Sequence, residues 1–207
     1  MPKTDTSHPG GDAMITGMAL RFADKPVLTG ALVALRPIAV RDVPDIAVAV
    51  AEPVSRRLTG THATFTVEQL TRWAMTRADH DDRLDLTIIE RATGRYAGEV
   101  VLNDLDPDNQ SCSFRIGLAG PEFFGRGLGT EATRLILAHA FEVVGLHRIG
   151  LEVYAFNPRA RHVYEKVGFV PEGTLRHALN WDGQWWDAHV MSLLAPDWAV
   201  HRGHPDS

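Results

Sequence analysis

Apolar residues recur along this chain with a period of two in some segments and of about 3.6 in others, which are the periods of strands and helices. The strand pattern is present at residues 31–37, 84–89, 96–105, 111–118, 148–154, 174–181 and 185–194. The helical pattern starts near Asp42, at Thr66, after the glycine-rich run 125–130 and at Asn157. The predicted order is therefore β-α-α-β-β-β-α-β-α-β-β.

Local signals mark the ends of the predicted helices. Asp42 is the expected N-cap of the first helix, and Thr66 with Gln69 has the spacing of a capping box. Gly145 and Gly168 follow the third and fourth helices, where a left-handed glycine commonly ends a helix. Because strands and helices alternate in the second half, we expect a mixed sheet with helices on its faces, in the α/β (α+β) class.

Length and composition favour a single folded domain. The chain has 207 residues, of which 44% are hydrophobic, enough for one substantial core. Residues 1–25 mix small polar residues, Pro and Gly without periodicity, so they are predicted to form a flexible N-terminal tail. Residues 26–200 are then the domain, and residues 201–207 a C-terminal tail.

Charge and cysteine usage exclude several classes of function. The formal net charge is −5 and the basic residues are scattered, which disfavours nucleic acid as a partner. No apolar run approaches the length of about 18 residues that a membrane span needs, and no export signal is visible, so a cytoplasmic protein is expected. Cys112 is the single cysteine, and no Cys/His cluster predicts a metal site.

The run Gly125-Arg126-Gly127-Leu128-Gly129-Thr130 opens the third predicted helix. Glycines let the main chain approach an anion closely, and a helix N-terminus offers unpaired N–H groups, so the run suits a pyrophosphate. Glu131 stands where a nucleotide-triphosphate-binding loop requires Ser or Thr, which disfavours that class. A dinucleotide-binding fingerprint stays open on spacing, with Glu152 as its acidic residue, although a three-strand meander before the glycines argues against it.

Two segments together resemble the GNAT superfamily of N-acetyltransferases. Gly127 and Gly129 match the small positions of its Gln/Arg-x-x-Gly-x-Gly/Ala motif, while Phe124 stands where Gln or Arg is usual. Residues 157–169 resemble the family segment Asn-x-x-(Ser/Ala)-x-x-x-Tyr-x-x-x-Gly-Phe. The resemblance covers about residues 31–195, and residues 172–176 with Asp187 bring it close to the RimJ/RimL type, which acetylates protein N-termini and small amines.

The resemblance implies both a fold and an activity. The fold is a mixed, mostly antiparallel central sheet of about seven strands flanked by about four helices, splayed between the fourth and fifth predicted strands. The activity is acetyl transfer from acetyl-CoA to a primary amine, a peptide N-terminus or a small molecule, by direct attack in a ternary complex. Two rival hypotheses are a non-catalytic acyl-CoA-binding sensor and, less favoured, a dinucleotide-binding oxidoreductase.

Acetyl transfer needs a neutral amine and a protonated leaving thiol, which require a base and an acid. The resemblance makes Tyr164 the acid, and Ala160, where many relatives have Ser, removes a competing hydroxyl. Asn157 lies seven residues before Tyr164, two helical turns along one face, and is expected to bind the pantetheine arm. Glu99 is the predicted base, directly or through a water, with Asn103 on the same strand face.

The predicted cofactor site extends over several elements. The main chain of strand 111–118 is expected to bind the pantetheine amides, with Gly117 as a bulge where the sheet splays, and the Arg126 side chain is expected to add positive charge. The predicted acetyl-CoA-binding residues are Ile116, Leu118, Gly125, Arg126, Gly127, Leu128, Gly129, Thr130, Asn157 and Arg161.

Tryptophans cluster around the last predicted hairpin, at positions 181, 185 and 186. Their rings either line the acceptor groove or cap the sheet, and exposed aromatic residues there also suit a homodimer interface.

Overall fold

The computed structural model describes residues 20–202. Within them, eight strands form one sheet: β1 Leu28–Thr29, β2 Val33–Pro37, β3 Leu84–Glu90, β4 Tyr96–Asp106, β5 Ser111–Leu118, β6 Arg148–Tyr154, β7 Val170–Trp181 and β8 Gln184–Leu194. The α-helices are α1 Val43–Ala51, α2 Pro53–Leu58, α3 Val67–Thr76, α4 Leu128–Ala138, α5 Pro158–Val167 and α6 Ala195–His201. A π-helical turn, His139–Val144, continues α4.

The sheet has the order β1-β2-β3-β4-β5-β6-β8-β7. Every neighbouring pair is antiparallel except β5 and β6, which run parallel. That parallel pairing joins only Ser111–Ser113 to Arg148–Gly150, so the two strands separate beyond it. The predicted mixed, mostly antiparallel and splayed sheet is confirmed. The sequence pattern missed β1, α2 and α6, which are too short to show a clear period.

Helices cover both faces of the sheet. Leu84, Leu86 and Ile88 of β3 point into the main core, which α4 and α5 cover. A smaller apolar cluster, which includes Ile46 of α1 and Leu70 of α3, lies on the other face. The gap between β5 and β6 is therefore bordered by helices on both sides.

Most predicted helix ends are confirmed, and one is corrected. Thr66 and Gln69 form the reciprocal capping box at the start of α3, and Gly168 has the left-handed φ of 107° that ends α5. Asp42 occupies the N-cap position of α1 but does not cap it. Its carboxylate instead accepts hydrogen bonds from the Arg36 guanidinium and the Ala39 N–H. Asp42 is thus the N-cap residue of α1 as predicted, but its side chain does not form the capping hydrogen bond.

The predicted chain ends need correction where the structure describes them. Phe22 is 1% exposed and packs in the main core, and its N–H donates to the Asp81 carbonyl at 2.7 Å. The Lys25 ammonium donates to three main-chain carbonyls. Residues 20–25 thus belong to the fold because one aromatic anchor and one ammonium hold them. His201 belongs to α6, and residues 1–19 and 203–207 of the predicted tails lie outside the described residues.

Candidate functional site

A cavity of about 1310 Å³ opens where β5 and β6 separate. Residues of α1, α2 and α3 line one side of it, and the starts of α4 and α5 line the other. Both the glycine-rich run and the proposed acid and base border this single space.

The glycine-rich run forms a loop at the start of α4 whose geometry suits an anion, and we call this loop the cradle. Gly125 and Gly127 have left-handed φ angles of 69° and 80°, which glycine adopts without strain. The N–H groups of residues 128–130 are the first three of α4 and have no acceptor within the helix. A Cβ on Gly125 would meet nothing within 4 Å, so the loop is open to a ligand. Residues 125–130 all line the cavity, which is the arrangement that helix N-termini use for phosphates.

The two arginines predicted for the cofactor are engaged elsewhere. The Arg126 guanidinium forms an ion pair with the buried carboxylate of Glu90, so the prediction that it adds free positive charge is wrong. The Arg126 main chain remains part of the cradle. Arg161 does not line the cavity and donates to Glu165 at 2.8 Å, so its prediction as a cofactor ligand is not supported by its position. Both arginines pair with carboxylates, and the sequence pattern predicted neither pair.

Arg159 lines the cavity although the sequence analysis missed it. Its guanidinium carbon lies 4.1 Å from the ring centroid of Phe124, the residue directly before the glycine run. Arg159 is the second helical residue of α5. The unusual Phe124 was a signal in the sequence, but only the fold brings the two residues together.

Glu99 lies half-buried on β4 and faces the cavity. Burial raises the pKa of its carboxyl to about 7, and the nearby charge of Asp85 acts in the same direction. The hydroxyl of Tyr96 donates to Glu99 Oε1 at 3.0 Å, which opposes this rise. A carboxyl whose pKa is near neutrality is well suited to exchange protons at physiological pH.

Asn103 lines the same cavity as Glu99, as their spacing along β4 predicts. Its Nδ2 donates to Asp104 at 2.6 Å. Its Oδ1 is buried and has no hydrogen-bond partner among residues 20–202. An unpaired buried acceptor is costly, so this oxygen is available to a donor that enters the cavity.

Tyr164 reaches the cavity from α5 on the opposite face of the sheet. Its side chain is 7% exposed and packs edge-on against Phe114 and Phe169, each with a centroid separation of 5.9 Å. Burial raises the pKa of its hydroxyl above the ordinary value, so the group stays protonated. No residue of the described chain forms a hydrogen bond with it. Asn157 also lines the cavity and caps α5 by accepting the Ala160 N–H at 3.2 Å.

The main chain of β5 borders the cavity through Ile116, Gly117 and Leu118. The predicted bulge at Gly117 is wrong, because Gly117 pairs with Glu99 in a register that continues unbroken from Gly98 to Asn103 and shifts only beyond Asn103. Glycine is required at its neighbour Gly98, where a Cβ would lie 2.1 Å from the Gly117 carbonyl oxygen. The sheet splays because β5 and β6 diverge beyond Ser113, without an extra residue at Gly117.

An aromatic cleft of about 670 Å³ adjoins the cavity and shares Arg56 and Leu58 with it. Trp181 lines this cleft and stacks on His62 with a centroid separation of 4.9 Å. Trp186 packs against Phe156, whereas Trp185 is 56% exposed. The three tryptophans therefore have different environments. The predicted homodimer stays a prediction.

Two further properties concern the described part of the chain. From residue 20 to residue 202 no helix has the length and apolarity needed to cross a membrane. In the same range no three His, Cys, Asp or Glu side chains are grouped to hold a metal ion.

Residues 33–170 match the family model described as an acetyltransferase (GNAT) domain. The chain is 30% identical over 124 residues to spermidine N(1)-acetyltransferase of Escherichia coli K12, covering 60% of this chain and 66% of that enzyme. It is 33% identical over 115 residues to the spermidine N(1)-acetyltransferase of Vibrio cholerae, covering 56% and 66%. The matches thus span just under two thirds of the length of these relatives.

Solved structures share the fold. Vibrio cholerae spermidine N-acetyltransferase in complex with CoA and spermine has a TM-score of 0.76 at 23% identity, covering 82% of this chain and 99% of that one. A GCN5-related N-acetyltransferase from Brucella melitensis has a TM-score of 0.74 at 23% identity, covering 90% and 87%.

Proposed function

Because the chain belongs to the GNAT acetyltransferase family, we propose that it transfers an acetyl group from acetyl-CoA to a primary amine by direct attack in a ternary complex. One observation carries the proposal. A single cavity joins the glycine cradle to the carboxyl of Glu99 and the hydroxyl of Tyr164. A pyrophosphate held at the cradle would place the rest of the cofactor between β5 and β6, where the acid and the base face the same space.

The residues present fit this cofactor. The N–H groups of residues 125–130 would hold the pyrophosphate, since the first amides of α4 lack internal acceptors. Asn157, Ile116 and Leu118 would hold the pantetheine arm where β5 has no pairing with β6. The Leu118 carbonyl already accepts the Ser55 hydroxyl at 3.0 Å, which fixes this edge. Acetyl-CoA, when bound, supplies the acetyl group as a thioester.

The proposed chemistry needs only residues that line the cavity. The Glu99 carboxylate takes a proton from the ammonium form of the acceptor, directly or through a water, and the Asn103 Oδ1 accepts a hydrogen bond from the amine. The neutral nitrogen attacks the acetyl carbon and a C–N bond forms. The nitrogen releases its remaining surplus proton to water as the C–S bond breaks. Tyr164 donates its proton to the departing sulfur. Its raised pKa keeps the hydroxyl protonated until that step, and both groups then re-equilibrate with solvent.

The acceptor is a primary amine, and the panel to test follows from the relatives. Two of the relatives that align with this chain are named spermidine N(1)-acetyltransferase, so polyamines are the first acceptors to test. Short peptides with a free N-terminus are the second, because of the resemblance to the RimJ/RimL type.

The test combines binding with turnover. Thermal melts with acetyl-CoA, CoA and NADH should show stabilisation by the first two only. Thiol release should then be detected with at least one amine among spermidine, spermine, amino acids and short peptides. Stabilisation by NADH alone would overturn the proposal in favour of a dinucleotide enzyme. CoA-dependent stabilisation without thiol release across the whole panel would overturn it in favour of a sensor. Tyr164→Phe, assayed in parallel, controls for release that does not depend on the cavity.

A further inference from the structure

The cradle has an additional positive group that comes from another helix. Arg159 lies on the ring of Phe124, with 4.1 Å between the guanidinium carbon and the ring centroid. Phe124 directly precedes the glycine run in the chain. Both Phe124 and Arg159 border the same cavity as the cradle. An aromatic face attracts a guanidinium and holds its plane parallel to the ring. The edges of the guanidinium, which carry its N–H donors, are then left for other acceptors.

Three other arginines are already paired with carboxylates. Arg126 pairs with Glu90, Arg95 with Glu122, and Arg161 with Glu165. Arg159, in contrast, has no carboxylate partner anywhere between residues 20 and 202. Its charge is therefore uncompensated at the border of a site whose main-chain donors suit an anion.

We propose that Arg159, positioned by the Phe124 ring, binds a phosphate group of acetyl-CoA. The inference rests on the proposed function and extends it to a residue outside the glycine run. The loop position that is usually Gln or Arg in the family is Phe124 here, so the polar side chain is absent from the loop, and α5 supplies a cation instead. A guanidinium offers paired N–H donors that match phosphate oxygens, a geometry that a lysine ammonium does not reproduce.

Two phosphate sources in the cofactor share this chemistry: the pyrophosphate and the 3′-phosphate of the ribose. The assay measures KM and kcat for acetyl-CoA and for acetyl-3′-dephospho-CoA, with the best amine from the panel. Isothermal titration with CoA and 3′-dephospho-CoA gives the same comparison without turnover. The proteins are the wild type, Arg159→Ala, Arg159→Lys, Phe124→Leu and the control Arg176→Ala, which removes an exposed arginine of β7 outside the cavity.

Arg159→Ala should raise KM for acetyl-CoA about tenfold with kcat within twofold, the size expected from losing one charge-assisted contact. Arg159→Lys should recover part of this loss, and Phe124→Leu should raise KM several-fold. If Arg159→Ala raises KM for acetyl-CoA but not for acetyl-3′-dephospho-CoA, Arg159 binds the 3′-phosphate. If it raises KM equally for both cofactors, Arg159 binds the pyrophosphate.

If Arg159→Ala binds both cofactors like the wild type and the control, the inference is overturned while the proposed function stands. If the wild type does not bind CoA, both fail. Melting curves of each variant without ligand show whether the fold is intact, and an effect of Arg159→Ala on kcat alone would also overturn the assignment.

Discussion

Replacing Glu99 with Gln tests the centre of the proposed chemistry. Gln has nearly the same shape and its amide oxygen can still accept the Tyr96 hydroxyl that lies 3.0 Å from Glu99 Oε1. The substitution therefore removes the ionisable group without opening a void. It should affect two quantities, the rate of transfer and the pH dependence of stability.

The structure sets the size of the stability effect. Burial raises the pKa of Glu99 from 4.5 to about 7, and each pH unit corresponds to about 1.4 kcal/mol. Ionised Glu99 thus destabilises the fold by at most about 3.5 kcal/mol. Since the side chain is only half-buried in an open cavity, solvent screening reduces this, and we expect about 1 to 2 kcal/mol.

The sign follows from the direction of the pKa change. A carboxyl whose pKa is raised by folding favours the native state while it is protonated, and that contribution is lost as pH rises from about 4.5 through 7. Relative to the wild type, Glu99→Gln should therefore become more stable between pH 4.5 and pH 8. Urea unfolding at several pH values measures the difference directly.

The rate of acetyl transfer should fall in Glu99→Gln, although its stability should rise. In the wild type, kcat/KM should rise with pH with an apparent midpoint near 7, as Glu99 ionises. Glu99→Gln should lose that midpoint and lower kcat by about 100-fold or more, the range for a removed general base. Glu152→Gln, which removes an exposed carboxylate from the same cavity, should be nearly neutral. A wild-type profile without a midpoint near 7, or full activity in Glu99→Gln, would refute the reasoning.

Three other substitutions have defined outcomes. Tyr164→Phe should lower kcat by about 100-fold with an unchanged Kd for acetyl-CoA by titration calorimetry, and unchanged turnover would remove Tyr164 from its role. Glu131→Ala leaves three main-chain N–H groups without the carboxylate they contact at 2.7–2.8 Å; urea unfolding should show a loss of about 2 kcal/mol, and an unshifted midpoint would contradict this. Gly98→Ala forces a Cβ to within 2.1 Å of the Gly117 carbonyl oxygen, so a loss of more than about 3 kcal/mol is expected, whereas Gly173→Ala, in open space, should melt like the wild type.

Elements whose signals are local were predictable from the sequence. The capping box of Thr66 with Gln69 and the helix end at Gly168 each depend on hydrogen bonds or φ angles within a few residues. The placement of the glycine run at the start of α4 is local in the same sense, because glycine tolerates the left-handed angles at Gly125 and Gly127. Asp42 shows the limit of such local signals. Its residue type suits a capping side chain, but its carboxylate accepts hydrogen bonds from Arg36 instead.

The charges of the site could not be predicted in this way. Arg126 and Glu90 are 36 residues apart in the chain, and Glu131 binds N–H groups nearly 100 residues before it. Whether a side chain is neutralised, buried or available depends on such partners, and periodicity contains no information about them. The raised pKa of Glu99 has the same origin, since the burial that causes it arises only when the sheet and helices pack.

The sequence by itself thus determined the order of the longer strands and helices, the splayed sheet expected from the family motifs and the position of the glycine run at the start of α4. The tertiary structure alone decided that Arg126 is paired while Arg159 lies on Phe124, and that Glu99 and Tyr164 face one cavity from two sides of the sheet. The physical reason is the range of the interactions. Backbone conformation and capping act over a few residues, whereas burial and ion pairing depend on which distant segments the fold brings into contact.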